Sequence, residues 1–274
     1  MQITVLINNC VHRPDLKAEH GISLWLDFGL DCILFDTGAS ELVVNNAKTL
    51  GIDFKNAKGI ALSHGHYDHT GGLLAVLNKI NKPISIWTHP AAFEEKGAVW
   101  GEGIRDIGLP FSKKALEKNG ARFELDKEPR QLFPGIWLTG EIPRKTTFED
   151  VEAILLKKVN ENWEPDPILD DGALVIDNPK GAIIITGCAH AGIINTIEYG
   201  LQLINTKRLY AVIGGFHLWH ASPERLENTI EALKEYDPEL LVIGHCTGLD
   251  AGAMIKGVFG NRCIFLDVGL KIGF

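Results

Sequence analysis

Five short apolar runs in this chain each end in a loop that carries a histidine. They are Ile60-Ala-Leu-Ser-His64, Ile84-Ser-Ile-Trp-Thr-His89, Ile183-Ile-Ile-Thr-Gly-Cys-Ala-His190, Ala211-Val-Ile-Gly-Gly-Phe-His217 and Leu241-Val-Ile-Gly-His245. Runs so short and so rich in Ile and Val read as buried strands, and amphipathic stretches alternate with them, the pattern of an α/β protein. Loops at one end of a sheet are where such proteins build their sites. A glycine just before the histidine lets the chain turn sharply and approach a ligand. One such histidine alone is more often structural. Several neutral imidazoles converging at one sheet edge would make a metal site.

The densest segment is Ser63-His64-Gly-His66-Tyr-Asp68-His69-Thr-Gly-Gly72. It packs three imidazoles and a carboxylate into six residues, a costly cluster for a merely structural turn. In a tight loop, His64 and His66 are two residues apart, point the same way and can grip one ion. Asp68 and His69 then face a neighbouring position and can grip a second. Gly71 and Gly72 open the following helix, where a bulky Cβ would crowd the loop.

Composition narrows what such a site serves. The chain has 274 residues and a formal net charge of −8, from 27 basic and 35 acidic side chains. Its 45% hydrophobic and 23% charged residues exclude intrinsic disorder. The acidic balance argues against a nucleic-acid partner or an anionic membrane surface, and no apolar run approaches the ~18–20 residues of a membrane span. The start, Met1-Gln-Ile-Thr-Val-Leu-Ile, reads as a first strand and not as a signal peptide. Five cysteines without CxxC spacing predict no disulfide framework and a reducing, cytoplasmic setting.

The strand pattern covers Ile3–Ile7, Ser23–Phe28, Cys32–Phe35, Lys58–Leu62, Ile84–Thr88, Ile136–Thr139, Ala153–Val159, Ala173–Ile176, Ala182–Thr186, Leu209–Ile213, Leu240–Ile243 and Cys263–Leu266. Helices are expected at Glu41–Leu50, Thr70–Asn78, Lys113–Asn119, Ile193–Ile204, from Pro223 to about Glu235, and Ala251–Val258. Residues 94–135 are irregular and rich in Gly and Lys, the natural place for an insertion or lid. No linker stands out, so 1–274 reads as a single domain with two sheets and outer helices.

His64-Gly-His66-Tyr-Asp68-His69 resembles the HxHxDH motif of the metallo-β-lactamase superfamily. The resemblance extends over essentially the whole chain and implies a four-layer αβ/βα sandwich with a metal centre at the edge between two sheets. Asp36-Thr-Gly38 resembles the superfamily's early turn, which makes Asp36 a support near the site. Gly244-His245-Cys-Thr-Gly248 resembles its late Gly-His loop. The middle of the chain departs from the common pattern. Strand Ala182–Thr186 continues into Gly187-Cys188-Ala189-His190, with Cys188 where many relatives carry a metal-bridging Asp.

The resemblance then implies His64, His66 and His190 on one ion and Asp68, His69 and His245 on a second. Cys188 stands beside them, with a ligand role as its alternative. One or two divalent ions are implied, zinc first, with manganese, magnesium or iron as alternatives. Gly187-Cys-Ala-His190, Gly214-Gly-Phe-His217-Leu, Gly140-Glu-Ile-Pro-Arg144 and Gly244-His-Cys-Thr-Gly248 narrow the resemblance to the dihydropteroate-synthase-like branch.

The superfamily implies a metal-dependent hydrolase of a small, phosphate-bearing substrate. The branch implies the alternative, a transferase condensing a dihydropterin methyl diphosphate with an aminobenzene ribofuranosyl phosphate and releasing diphosphate. Asp68 is the candidate to orient or deprotonate the reacting water where the second ion is absent, and His217 is a second catalytic and substrate-contacting candidate, with a metal-ligand role as its alternative. Arg144 and Lys145 form a candidate phosphate clamp, and Trp219 is a candidate contact two residues after His217. His20 is placed at the rim; His89, followed by Pro90, carries the pattern weakly and reads as structural, and His12 and His220 carry no motif. The expected partner is a small anionic molecule, with neither membrane nor nucleic acid.

Overall fold

Ile, Val and Leu give the strands of this protein because branched side chains pack well on a pleated, buried surface. A computed structural model describes residues 1–274. In chain order the elements are β1 (Gln2–Ile7), β2 (Ser23–Asp27), β3 (Cys32–Phe35), α1 (Leu42–Thr49), β4 (Ala57–Ala61), α2 (Tyr67–Thr70), α3 (Leu73–Ile80), β5 (Ile84–Thr88), β6 (Lys96–Trp100), β7 (Gly103–Asp106), α4 (Lys113–Lys118) and β8 (Ala121–Leu125). They continue as β9 (Arg130–Phe133), β10 (Ile136–Leu138), β11 (Leu155–Val159), β12 (Asn162–Pro165), β13 (Ala173–Ile176), β14 (Ala182–Thr186), α5 (Ile193–Leu203), β15 (Leu209–Gly214), α6 (Pro223–Tyr236), β16 (Leu240–Ile243), α7 (Leu249–Phe259), β17 (Cys263–Phe265) and β18 (Lys271–Gly273). No helix is long and apolar enough to cross a membrane.

These elements form two compact units. The first comprises Met1–Asp126, Glu152–Asp170 and Asp267–Phe274; the second comprises Lys127–Val151 and Asp171–Leu266.

The first unit holds a seven-stranded sheet in the order β18-β1-β2-β3-β4-β5-β8. Its pairings are antiparallel from β18 to β3 and parallel from β3 to β8. Helix α3 buries Leu73, Val76, Leu77 and Ile80, the spacing of one helical face. With Val43 and Ala47 of α1 and Leu116 of α4, it packs on Leu34, Ile60 and Ile86 of the central strands. Ile33 and Phe35, on the other face, are fully buried too, which is why these strands are continuous apolar runs without alternation. The register sets Phe35, Ala61 and Trp87 side by side. The loops after β3, β4 and β5 therefore leave one edge at the same level.

Residues 94–135, the expected insertion, carry β6, β7, α4, β8 and β9. Strand β8 is the edge of the first unit's large sheet, while β6 and β7 join β11 and β12 in a four-stranded sheet ordered β12-β11-β6-β7. The charged and exposed Gly-Ile-Arg-Asp of β7 offered no strand signal. The helix expected at Thr70–Asn78 resolves into the single turn α2 and then α3, which ends at Asn81 in the left-handed conformation.

The second unit repeats the plan. Its seven strands run β17-β16-β15-β14-β13-β10-β9, antiparallel from β9 to β14 and parallel from β14 to β17. Helices α5, α6 and α7 cover one face through Ile193, Ile197, Leu201, Leu226, Ile230, Leu233, Ile255 and Phe259. Pro223 opens α6 after the N-cap Ser222, whose hydroxyl accepts from Arg225 N at 3.1 Å. Thr186, Gly214 and Ile243 are in register, so the loops after β14, β15 and β16 also leave one edge together.

Candidate metal centre

Asp36 follows β3 directly, in the left-handed region at φ 55°. Its carboxylate is fully buried, which costs several kcal/mol unless hydrogen bonds replace the lost water. Three do so. Oδ1 accepts from Ser63 N at 2.7 Å, and Oδ2 accepts from Ser63 Oγ at 2.7 Å and from His69 Nδ1 at 2.7 Å. Thr37 adds a second grip, its N and Oγ1 donating to the His69 carbonyl at 2.7 and 3.0 Å. The Asp-Thr-Gly turn thus holds His69 by ring and backbone, and holds the start of the histidine loop at Ser63.

The same bonds orient the rings. Ser63 spends its hydroxyl hydrogen on Asp36, so its oxygen accepts from His64 Nδ1 at 2.9 Å. His69 likewise donates its Nδ1 hydrogen to Asp36. This network puts the lone pair of both rings on Nε2. His64 Nε2 then lies 2.9 Å from His66 Nδ1, and His69 Nε2 lies 3.5 Å from Asp68 Oδ2. The ring nitrogens of His64 and His66 thus stand together, as do His69 Nε2 and the Asp68 carboxylate. Burial, then the neighbouring His69 and His66, pushes the His64 imidazole well below its usual range, and burial pushes His66 down to about 4. Neutral imidazoles at neutral pH are what a cation needs as ligands.

This loop is also held from outside, by a carboxylate that is itself paired with a lysine. Asp170 Oδ2 accepts from Gly65 N at 2.7 Å, while Lys96 Nζ donates to Asp170 at 2.8 Å and to Asp166 at 2.9 Å. The Lys96 side chain is fully buried. Burial opposes the charge on Asp170, but the Lys96 ammonium and its hydrogen bond hold the carboxyl below its ordinary value. Gly65 must be glycine, because a Cβ there would lie 2.2 Å from the Ala92 carbonyl oxygen. His20, half exposed, places Nε2 3.3 Å from Asp68 Oδ2. His89 uses Nδ1 to accept from Ala91 N at 3.1 Å, capping a short turn.

In the second unit, three loops are zipped together by backbone bonds. Gly215 N donates to Gly187 O at 3.0 Å, Gly244 N to Gly214 O at 3.1 Å, and Leu218 N and Trp219 N both to Cys246 O at 3.1 Å. Phe216 N donates to Thr247 Oγ1 at 3.0 Å. Each loop carries a non-glycine residue in the left-handed region: Ala189 at φ 58°, His217 at 47° and His245 at 45°. Such residues cost roughly 1–3 kcal/mol each and cluster where function over-determines the backbone.

The ligand atoms of Cys188, His190 and His217 lie within 4.8 Å of one another, as do those of Cys188, His245 and Cys246. The rings of His190 and His217 are 4.1 Å apart. Burial resists ionisation of the Cys246 thiol, but the Cys188 side chain and the imidazoles of His245 and His217 hold it well below the usual thiol range. Asp171 Oδ2 accepts from Ala191 N at 2.9 Å and steadies the His190 loop. Glu149 accepts from Ile194 N and Asn195 N at 2.9 Å each, capping α5 just beyond that loop.

Of the substrate candidates, Arg144 Nη1 donates to the His190 carbonyl at 3.4 Å. Lys145 turns instead to α5, with Nζ 3.3 Å from Gln202 Oε1. Trp219 is 60% exposed and stacks on His220 at 5.7 Å, which makes it a surface ring and not a core one. The donor chemistry of each unit fits a divalent cation: buried neutral imidazoles with a carboxylate in the first, imidazoles with two thiols in the second. Cys246 was passed over in the sequence because a cysteine beside a histidine, without CxxC spacing, carries no signal of its own.

Comparison with known proteins agrees with this geometry. The family model described as the metallo-β-lactamase superfamily matches residues 23–245. A Methanocaldococcus jannaschii protein named 7,8-dihydropterin-6-methyl-4-(β-D-ribofuranosyl)-aminobenzene-5′-phosphate synthase is 38% identical over 266 residues, 94% of this chain and 90% of its own. An uncharacterized protein of the same organism is 32% identical over 271 residues, 99% of each chain. A crystal structure described as a metal-dependent hydrolase of the β-lactamase superfamily aligns with a TM-score of 0.85 at 29% identity, over 100% of this chain and 99% of that one. This chain therefore belongs to the metallo-β-lactamase superfamily and has its fold.

Proposed function

We propose that the protein is a cytoplasmic, metal-dependent transferase that joins a dihydropterin methyl diphosphate to an aminobenzene ribofuranosyl phosphate and releases diphosphate. The observation that carries this reading is the 38% identity to a named synthase along 94% of the chain. Five cysteines without CxxC spacing favour a reducing setting. The substrates are small and anionic, and the net charge of −8 disfavours a nucleic-acid partner.

The motif resemblance assigns His64, His66 and His190 to one ion, zinc first, and Asp68, His69 and His245 to a second. A divalent cation bound there would offset negative charge on a phosphoryl leaving group or lower the pKa of water. The chain's own residues do the rest. Asp36 and Ser63 fix the His64 and His69 rings, and Asp170 fixes the turn between His64 and His66. Arg144 is assigned to a substrate phosphate, with Trp219 as a flanking aromatic contact; Lys145, turned to Gln202, would join that clamp only by leaving α5. In the reaction, the arylamine nitrogen bonds to the pterin methylene carbon as the carbon–oxygen bond to diphosphate breaks. His217 is assigned to accept the amine proton, and Asp68 to orient the amine.

A second reading, hydrolysis of a small phosphate-bearing substrate, is favoured by the 29% identity and 0.85 TM-score to a protein described as a hydrolase. Diphosphate release separates the two. Under the transferase reading, release requires both the pterin diphosphate and the arylamine, and His64→Ala abolishes it. Release from the pterin diphosphate alone establishes hydrolysis.

A further inference from the structure

Two thiols stand in the second unit's cluster. Cys188 follows β14 and Cys246 follows β16, and both are buried, with 3% and 6% exposure. The sulfur of Cys246 sits over Gly215, where an added Cβ would come within 2.5 Å of it. The two sulfurs and a ring nitrogen of His245 all lie within 4.8 Å of one another. Beside each thiol the chain accepts a left-handed non-glycine residue, Ala189 at φ 58° and His245 at φ 45°. The backbone is bent to aim these side chains, at a cost that apolar packing alone does not call for. Cys32 and Cys263 supply the contrast. They are buried in strands among apolar neighbours, each behaving as a small hydrophobe.

We propose that Cys188 and Cys246, together with His245, form a thiolate-bearing cation site that makes the centre selective for a thiophilic divalent ion over magnesium or manganese. Sulfur is a soft donor that selects zinc, iron or copper, whereas a carboxylate and water set suits the hard cations. Each thiol gives up its proton to solvent as its sulfur–metal bond forms. The proposal rests on the reading of this chain as a metal-dependent enzyme and goes beyond it by naming two sulfur ligands.

Cobalt(II) reports sulfur ligation optically. The reduced, chelator-stripped full-length protein is titrated anaerobically with cobalt(II), and its near-ultraviolet absorption is followed. The wild type is expected to show intense thiolate-to-cobalt charge-transfer bands, displaced by zinc and not by magnesium. Cys246→Ser and Cys188→Ser each weaken those bands and reduce cobalt affinity by about 10-fold or more, and the double variant abolishes the bands. Cys10→Ser, at an exposed position, leaves them intact. Because the wild-type spectrum is diagnostic by itself, the proposal remains testable if the serine variants do not fold. Tight cobalt binding without charge-transfer bands overturns the sulfur ligands while sparing the metal-dependent reading. Absence of any cobalt binding overturns both.

Discussion

A carboxylate that trades all its water for three fixed donors is a rigid part, and Asp36 is such a part. Asp36→Ala removes the acceptor for Ser63 N, Ser63 Oγ and His69 Nδ1 at once. We expect the first unit to fold with its His69 ring loosened and metal affinity to drop roughly 10- to 100-fold, as read by calorimetric titration of zinc into the stripped protein. The donors of the His64–His69 loop were legible because their spacing is local and geometry at two residues needs no knowledge of the fold. Lys96 and Glu149 were not legible. Lys96 meets Asp170 across 74 positions, and Glu149 meets Ile194 across 45. Nothing near either residue in the sequence announces a partner so far away.

At the scale of elements, the buried Lys96 pins β6 to the segment after β12 and, through Asp170, to the turn at Gly65. Lys96→Met leaves two buried carboxylates without their counter-charge and is expected to cost ~3–5 kcal/mol, measured by denaturant unfolding. The pH dependence follows from the same group. Asp170 is held below its ordinary 3.8. Its contribution is therefore fully present above that value and is lost as pH falls through the lower folded-state value. Wild-type stability should decline on acidification through the carboxylate range, and Asp170→Asn should start lower and decline less steeply. Helix α5 depends on a cap from outside itself. Glu149→Ala strands the Ile194 and Asn195 amides and should cost about 1–3 kcal/mol, seen as a lowered melting temperature. Most strands of the two large sheets could be read directly, since both faces are buried and the runs are apolar. Strands β6, β7 and β12 could not, because exposed strands with charged residues look like loops until their partners are known.

At the scale of the whole molecule, metal and fold stability are linked, because a cation that binds only the folded chain stabilises it by mass action. Zinc at about 100 times its dissociation constant should add ~2.7 kcal/mol, so chelator treatment should lower the melting temperature and zinc should restore it, with a smaller shift in His64→Ala. The doubled plan of three antiparallel then three parallel pairings was invisible in the sequence, which shows no repeat; what recurs is pairing order, not residue identity. The first sheet also closes in an unusual order. Its outermost strand, β18 at Lys271–Gly273, pairs with β1 at Gln2–Thr4, whereas the second unit is finished by Leu266. During translation, β1 waits for β18, which is made only after every strand of the second unit. The second unit has every strand in hand while β1 still exposes a bare hydrogen-bonding edge. That edge is the vulnerable surface of the nascent chain, the place where a chaperone or a stray β-strand from a neighbour would engage it.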